Sequence, residues 1–184
     1  MSNILIVSGH TDIVNSRANK IILENLKNEL SNAEIDSLIE LYPDYQFNVD
    51  LEQKKLLKAD VIVLQFPFFW FSCPSIMRKW FEDVLLHGFA YGSTGKALEG
   101  KKMIVSFTTG APLDAYQYGG MENFDISEFL PQFIQLTNFC GMKWSGYVVS
   151  GGYTFTTEEN KIKEFADKHS LDLIDKIKSS NAER

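Results

Sequence analysis

The sequence predicts a doubly wound α/β domain with five parallel strands in the order 2-1-3-4-5. Three observations predict it. Short apolar runs alternate along the chain with segments whose apolar residues recur at helical spacing. The first run, "NILIVSG", is continuous rather than alternating, as in a parallel strand covered on both faces. A length of 184 residues is enough for one domain with a core of its own, taken here as residues 1–184 without linker or repeat. Strands alternating with helices give a parallel sheet with helices on both faces, and right-handed crossovers leave few strand orders.

After the first run, Ala18, Ile21, Ile22, Leu26 and Leu30 follow helical spacing, with Asn15 or Ser16 available as N-cap. "AEIDSLI" reads as a weaker strand, and a polar link leads to a short helix near Asp50 to Lys58. "DVIVLQF" is the next strong strand. Pro74 then sits at a helix start, with Ile76, Met77, Trp80, Phe81, Val84 and Leu85 on one face. "KKMIVSFTTG" follows as another strand. Residues 126–140 are helical in pattern, and Pro131 predicts an offset start or a kink. "SGYVVSGG" gives the last strand. Thr156 and Glu159 have the spacing of a capping box that opens a final helix facing inward through Ile162, Phe165, Ala166, Leu173 and Ile177.

Composition excludes several functions. A net charge of −6 with scattered Lys and Arg argues against nucleic acid as the main partner. No apolar run reaches the roughly 18 residues of a membrane span, and "MSNILIVSGH" lacks a basic leader and a cleavage site. Cys73 and Cys140 lie far apart, and His10, His87 and His169 do not cluster, so a cytoplasmic protein without a metal is expected.

In such sheets ligands bind beyond the carboxyl ends of the strands, which selects residues 8–18, 66–73 and 107–122. The first loop, "SGHTDIVNSRAN", has His10 and places Ser16, Arg17 and Ala18 at a helix start, where backbone N–H groups favour an anion. The plainer reading is a cap with a solvated Arg17. The second loop is an aromatic run around Pro67, and it would serve a planar heteroaromatic ring, a subunit interface or both. The third, "FTTGAPLDAYQYGGMENF", brings small residues Thr108, Thr109 and Gly110 to the strand end, with Tyr116 and Tyr118 as hydroxyl donors; an ordinary turn is the alternative.

Together, "SGHTDIVNSRAN", "ADVIVLQFPFFWFSCPSIMRKWFEDVLLHGFAYG", "GKALEGKKMIVSFTTGAPLDAYQYGG" and "LTNFCGMKW" resemble the flavodoxin-like NAD(P)H:quinone oxidoreductases of the DT-diaphorase type. The likeness is closest to short bacterial members, including ancillary oxidoreductases of glutathione-gated potassium efflux systems. The resemblance implies FMN, with FAD as the alternative that no obvious adenine-binding segment supports. It also implies NAD(P)H as co-substrate, a quinone acceptor and a homodimer, with a potassium-efflux transporter as a further partner. Carried over by motif, His10, Ser16, Arg17 and Ala18 would bind the phosphate end of the cofactor. Pro67, Phe68, Phe69, Trp70 and Phe71 would line its ring, and Thr108, Thr109, Gly110 and Ala111 its pyrimidine side. Tyr116 would be the catalytic hydroxyl beside the charge that develops there. Two departures stand out. Ala111 replaces a frequent glycine, which requires a negative φ, and Glu122 replaces a histidine of the mammalian-type enzymes, so a histidine relay is not supported.

Overall fold

The computed structural model describes residues 2–182. Five parallel strands, β1 (Ile4–Ser8), β2 (Ala33–Ser37), β3 (Val61–Pro67), β4 (Lys102–Thr108) and β5 (Lys143–Ser150), pair in the order β2-β1-β3-β4-β5. The predicted order is therefore observed. The helices are α1 (Asn19–Glu29), the single turn α2 (Leu38–Leu41), α3 (Val49–Lys58), α4 (Ser75–Val84), α5 (Pro131–Phe139) and α6 (Glu159–Ala182).

Successive strand residues point to opposite faces, so each strand feeds two cores. Leu5, Val7, Ile62, Leu64, Phe66 and Phe107 pack under α3, α4 and α5. Ile4, Ile6, Val61, Val63 and Ile104 pack under α1 and α6, whose Ile22, Leu26, Ala166 and Leu173 complete that layer. Every residue of β1 and β3 is buried, which explains their unbroken apolar runs. No helix among the described residues is long and apolar enough to cross a membrane.

Three local expectations shift, and one open alternative, at Pro131, resolves. β2 stops at Ser37 because Leu38 and Ile39 turn into α2. β5 begins at Lys143, two residues ahead of the apolar run, because an edge strand tolerates polar residues on its open side. Pro131 occupies the first position of α5, after a 3-10 turn at Ile126–Phe129, so it offsets the start and makes no kink. The predicted capping box at Thr156 is absent: Glu159 turns to Arg17, and Thr156 shares hydroxyl hydrogen bonding with Thr154.

Candidate functional site

The carboxyl ends of β1, β3 and β4 surround a cavity of about 420 Å³. Ten of the residues expected from sequence line it. They are His10, Ser16, Arg17 and Ala18 from the first loop, Pro67, Phe68 and Phe69 from the second, and Thr108, Thr109 and Gly110 from the third. Trp70, Phe71, Ala111 and Tyr116 stand outside that lining. Asp12, Asn15, Asn19, Tyr153 and Phe155 line it without having been expected. A wider opening of about 1050 Å³ lies at the amino ends of the strands. Open α/β sheets bind ligands at the other end, and Lys101 in this opening is already committed to the Leu57 and Ala59 carbonyls.

The first loop presents hydrogen-bond donors at the amino end of α1. Ser16 Oγ accepts the N–H of Asn19, the first residue of α1, at 3.0 Å, but the N-cap position belongs to Ala18 rather than to Asn15 or Ser16, and the N–H groups of Arg17 and Ala18 have no partner among the described residues. His10 Nδ1 accepts the Asp12 N–H at 3.0 Å, which leaves Nε2–H as the ring's donor. Burial holds the His10 pKa below its usual value, against a smaller opposing effect of Asp12, so the ring is neutral at pH 7. Arg17 differs from the expectation of a phosphate-facing guanidinium. Its fork is engaged with the β5–α6 turn, through Glu159 Oε1 at 2.8 Å, the Thr154 carbonyl at 2.9 Å and the Thr157 carbonyl at 2.5 Å. Behind the loop, buried Asn19 receives the Gln65 side-chain N–H at 2.9 Å and donates to Thr108 Oγ1 at 2.9 Å. This chain ties the first loop to the third across β3.

The second loop stores strain. Phe69 and Ser72 exchange both backbone hydrogen bonds at 3.0 Å around Trp70 (φ +48°) and Phe71 (φ +62°). Two positive φ values in a two-residue hairpin describe a type I′ turn, which favours Asn-Gly rather than bulky aromatics. Such conformations cost about 1–3 kcal/mol each and persist where function holds them. Phe71 stacks on Phe129 with ring centroids 5.7 Å apart, whereas the Trp70 side chain is 91% exposed. Trp70→Gly should therefore raise the stability of the cofactor-free protein by about 1 kcal/mol, because the strain goes and little packing is lost. Chemical denaturation checks this, and a loss of stability would show that the turn is unstrained.

In the third loop, the Thr108 carbonyl accepts the Phe68 N–H at 2.8 Å, which docks the second loop on β4. Thr109 Oγ1 donates to the Ala111 carbonyl at 2.7 Å. A Cβ added to Gly110 would have no atom within 4 Å, so the wall is open there. Ala111 is not among the residues with positive φ, which meets the condition for alanine at that position. Tyr116 is 7% exposed and packs edge-on against Phe68 and Phe129, with ring centroids 6.3 Å apart in each pair. Burial raises the Tyr116 pKa, the Glu122 carboxylate adds to the rise, and Thr109 offsets part of it. The phenol keeps its proton at neutral pH.

A helix amino end with unpaired N–H groups lies across one cavity from aromatic side chains and an open glycine. That combination suits a planar ring with an anionic tail. A family model described as the flavodoxin-like fold (Flavodoxin_2) matches residues 2–172. The chain belongs to this family. It is 33% identical over 177 residues to an uncharacterized NAD(P)H oxidoreductase of Bacillus subtilis, YrkL, covering 96% of this chain and 98% of that one. It is 38% identical over 178 residues to KefF of Klebsiella aerogenes, a glutathione-regulated potassium-efflux system ancillary protein, covering 94% and 95%. Among solved structures, general stress protein 14 of Treponema denticola in complex with FMN superposes with a TM-score of 0.86 at 28% identity, covering 95% and 99%. Within the flavodoxin-like sheet, the cavity of this chain stands where the fold's switch point lies, between β1 and β3.

Proposed function

We propose that the protein is an FMN-dependent NAD(P)H oxidoreductase that reduces quinones by two electrons in a ping-pong cycle. The observation that carries the reading is the cavity itself, which joins the α1 amino end, the aromatic turn and the open wall at Gly110. Its volume of about 420 Å³ falls within the usual range for cofactor and ligand sites. Similarity to a named NAD(P)H oxidoreductase and to a protein solved with FMN supports it.

The residues present fit FMN. The Arg17 and Ala18 N–H groups, Ser16 and His10 Nε2–H would hold the phosphate, with the α1 dipole favouring the negative charge. Pro67 to Phe71 would supply aromatic surface, and the N–H groups of Trp70 and Phe71 have no partner among the described residues. Gly110 and Ala111 would face the pyrimidine side with free N–H donors. Bound there, FMN supplies the hydride chemistry between NAD(P)H and a quinone. This chain orients the partners, keeps water from the covered face and offers donors where negative charge develops. Tyr116, protonated and packed edge-on against Phe68 outside the cavity lining, would be a further donor at the edge of the site.

Tyr116→Phe keeps the ring packing and removes one donor. Since the Gly110 and Ala111 amides share the charge, flavin reduction should slow on the order of tenfold rather than the 10²–10³ of an unshared donor. Anaerobic stopped-flow mixing with NADPH and NADH reads that rate in fully loaded protein. An unchanged rate would make Tyr116 structural. For the function itself, parallel initial-rate lines with a quinone as second substrate are expected. Intersecting lines, or no reduction by either nucleotide, would overturn the proposal.

Trp70 on the second loop and Tyr118 and Met121 on the third are large apolar side chains left exposed to solvent, which supports a homodimer that covers them. A second reading, an ancillary subunit of a potassium-efflux transporter, rests on the similarity to KefF. Stable co-purification with such a transporter would favour it, and it does not conflict with flavin binding.

A further inference from the structure

We propose that the turn between β5 and α6 is a fourth wall of the cofactor site and that Tyr153 on it contacts the phosphate-bearing tail, its hydroxyl aimed by Ser150 and the buried His169. This rests on the flavin reading above and adds a part of the chain that lies beyond the three sequence-selected loops.

The turn is fastened to both neighbouring loops. Arg17 of the first loop donates to the Thr154 and Thr157 carbonyls at 2.9 and 2.5 Å. On the other side, the Gly152 N–H reaches the Ala111 carbonyl at 3.0 Å and the Tyr153 N–H reaches the Thr109 carbonyl at 3.3 Å. Gly151 permits this approach, because an added Cβ would stand 2.6 Å from both Ala111 O and Thr109 Oγ1. Tyr153 consequently lines the same cavity as His10, Ser16 and Ala18. The engagement of Arg17 thus has a use: the guanidinium closes the wall near the tail.

Behind Tyr153 runs a chain of hydrogen bonds that no other part of the proposed chemistry uses. Tyr153 OH meets Ser150 Oγ at 2.8 Å, Ser150 Oγ meets His169 Nδ1 at 2.7 Å, and His169 Nε2 meets Ser106 Oγ at 2.7 Å. His169 is 1% exposed, and burial lowers its pKa to about 4, with Asp172 opposing and Lys168 adding to the fall. Burial also pushes Tyr153 up to about 12, with Ser150 offsetting part of the rise. Both side chains are therefore neutral at pH 7.

A neutral imidazole has one donor and one acceptor, so its tautomer sets the direction of the chain. If Nε2 carries the proton, Nδ1 must accept from Ser150, Ser150 must accept from Tyr153, and the phenol proton is spent inward. If Nδ1 carries the proton, Ser150 accepts from it and can donate to Tyr153, which frees the phenol proton for the cavity. Only the second arrangement serves an anionic oxygen. His169 is accordingly a positioning residue, and Tyr153 the contact.

The test uses full-length protein stripped of flavin and titrated with FMN. Tyr153→Phe should weaken FMN binding about tenfold, as expected for one charge-assisted bond, while the thermal midpoint of the stripped protein stays near that of the wild type. In the FMN complex of the wild type, ¹⁵N–¹H correlation spectra should show His169 as the Nδ1–H tautomer. Unchanged FMN affinity in Tyr153→Phe, or an Nε2–H tautomer in the complex, would overturn the assignment while leaving the flavin reading intact. A wild type that binds no FMN would overturn both. The tautomer measurement holds even if the Tyr153 variant folds poorly.

Discussion

Lys55→Met should cost about 3–5 kcal/mol of folding stability, because it leaves buried carboxyl groups without their cation. Lys55 Nζ lies 2.6 Å from Asp36 Oδ1 and 2.6 Å from Glu52 Oε1. Glu52 is 0% exposed and also accepts from the Tyr42 hydroxyl at 2.8 Å and the Trp80 indole N–H at 2.9 Å. Burial pushes its pKa up, but contacts with Asp36, Lys55, Trp80 and Tyr42 together hold it below the ordinary value. Asp36 moves the other way, to about 7, through burial and its contact with Glu52, with Lys55 offsetting part of the rise. Asp36 Oδ2 has no partner among the described residues, and the contact between the Asp36 and Glu52 carboxyl groups favours a proton on Asp36. Between roughly pH 4 and pH 7 the folded state then holds a proton that the unfolded chain releases, so Asp36 makes stability fall as pH rises. The Lys55→Met loss should be larger at pH 8 than at pH 6, since the second carboxylate ionises without a cation. Urea denaturation at the two pH values checks both statements. A loss below about 1 kcal/mol would mean that the cluster is dispensable.

Gly110→Ala should leave the cofactor-free fold intact and weaken FMN binding by about ten- to a hundredfold. The backbone tolerates the change, because Gly110 is not among the positive-φ residues and its Cβ would meet no atom within 4 Å. The methyl group instead enters the cavity where the flavin is proposed to bind, and overpacking of a fitted contact costs about 1–3 kcal/mol. Paired thermal melts and FMN titrations read the two halves separately. Normal affinity with normal stability would place the flavin away from the third loop.

The sheet was legible because β1, β3 and β4 are buried on both faces and had to be written as continuous apolar runs. The strand-end rule then found the three loops, and ten of their residues do share a cavity. Long-range polar choices were not legible. Arg17 and Glu159 are 142 positions apart, and nothing local indicates that their side chains meet or that Glu159 leaves its capping position. Tyr153 was missed although the same rule, applied to the end of β5, would have found it. The turn at Trp70 and Phe71 runs against the usual residue signal for its type, so an aromatic wall was visible while its backbone conformation was not. Lys55 and Asp36 read as ordinary surface and strand residues, because their pairing exists only once α3 lies against β2.

Flavin fluorescence, followed as the stripped protein is added, reads most directly whether the cavity at the carboxyl ends of β1, β3 and β4 holds a flavin. Quenching should reach a sharp endpoint at one FMN per chain, with riboflavin binding more weakly because it lacks the phosphate that we propose Ser16 to Ala18 would hold. Fluorescence that stays unquenched at saturating protein, or equal affinity for riboflavin and FMN, would contradict the account.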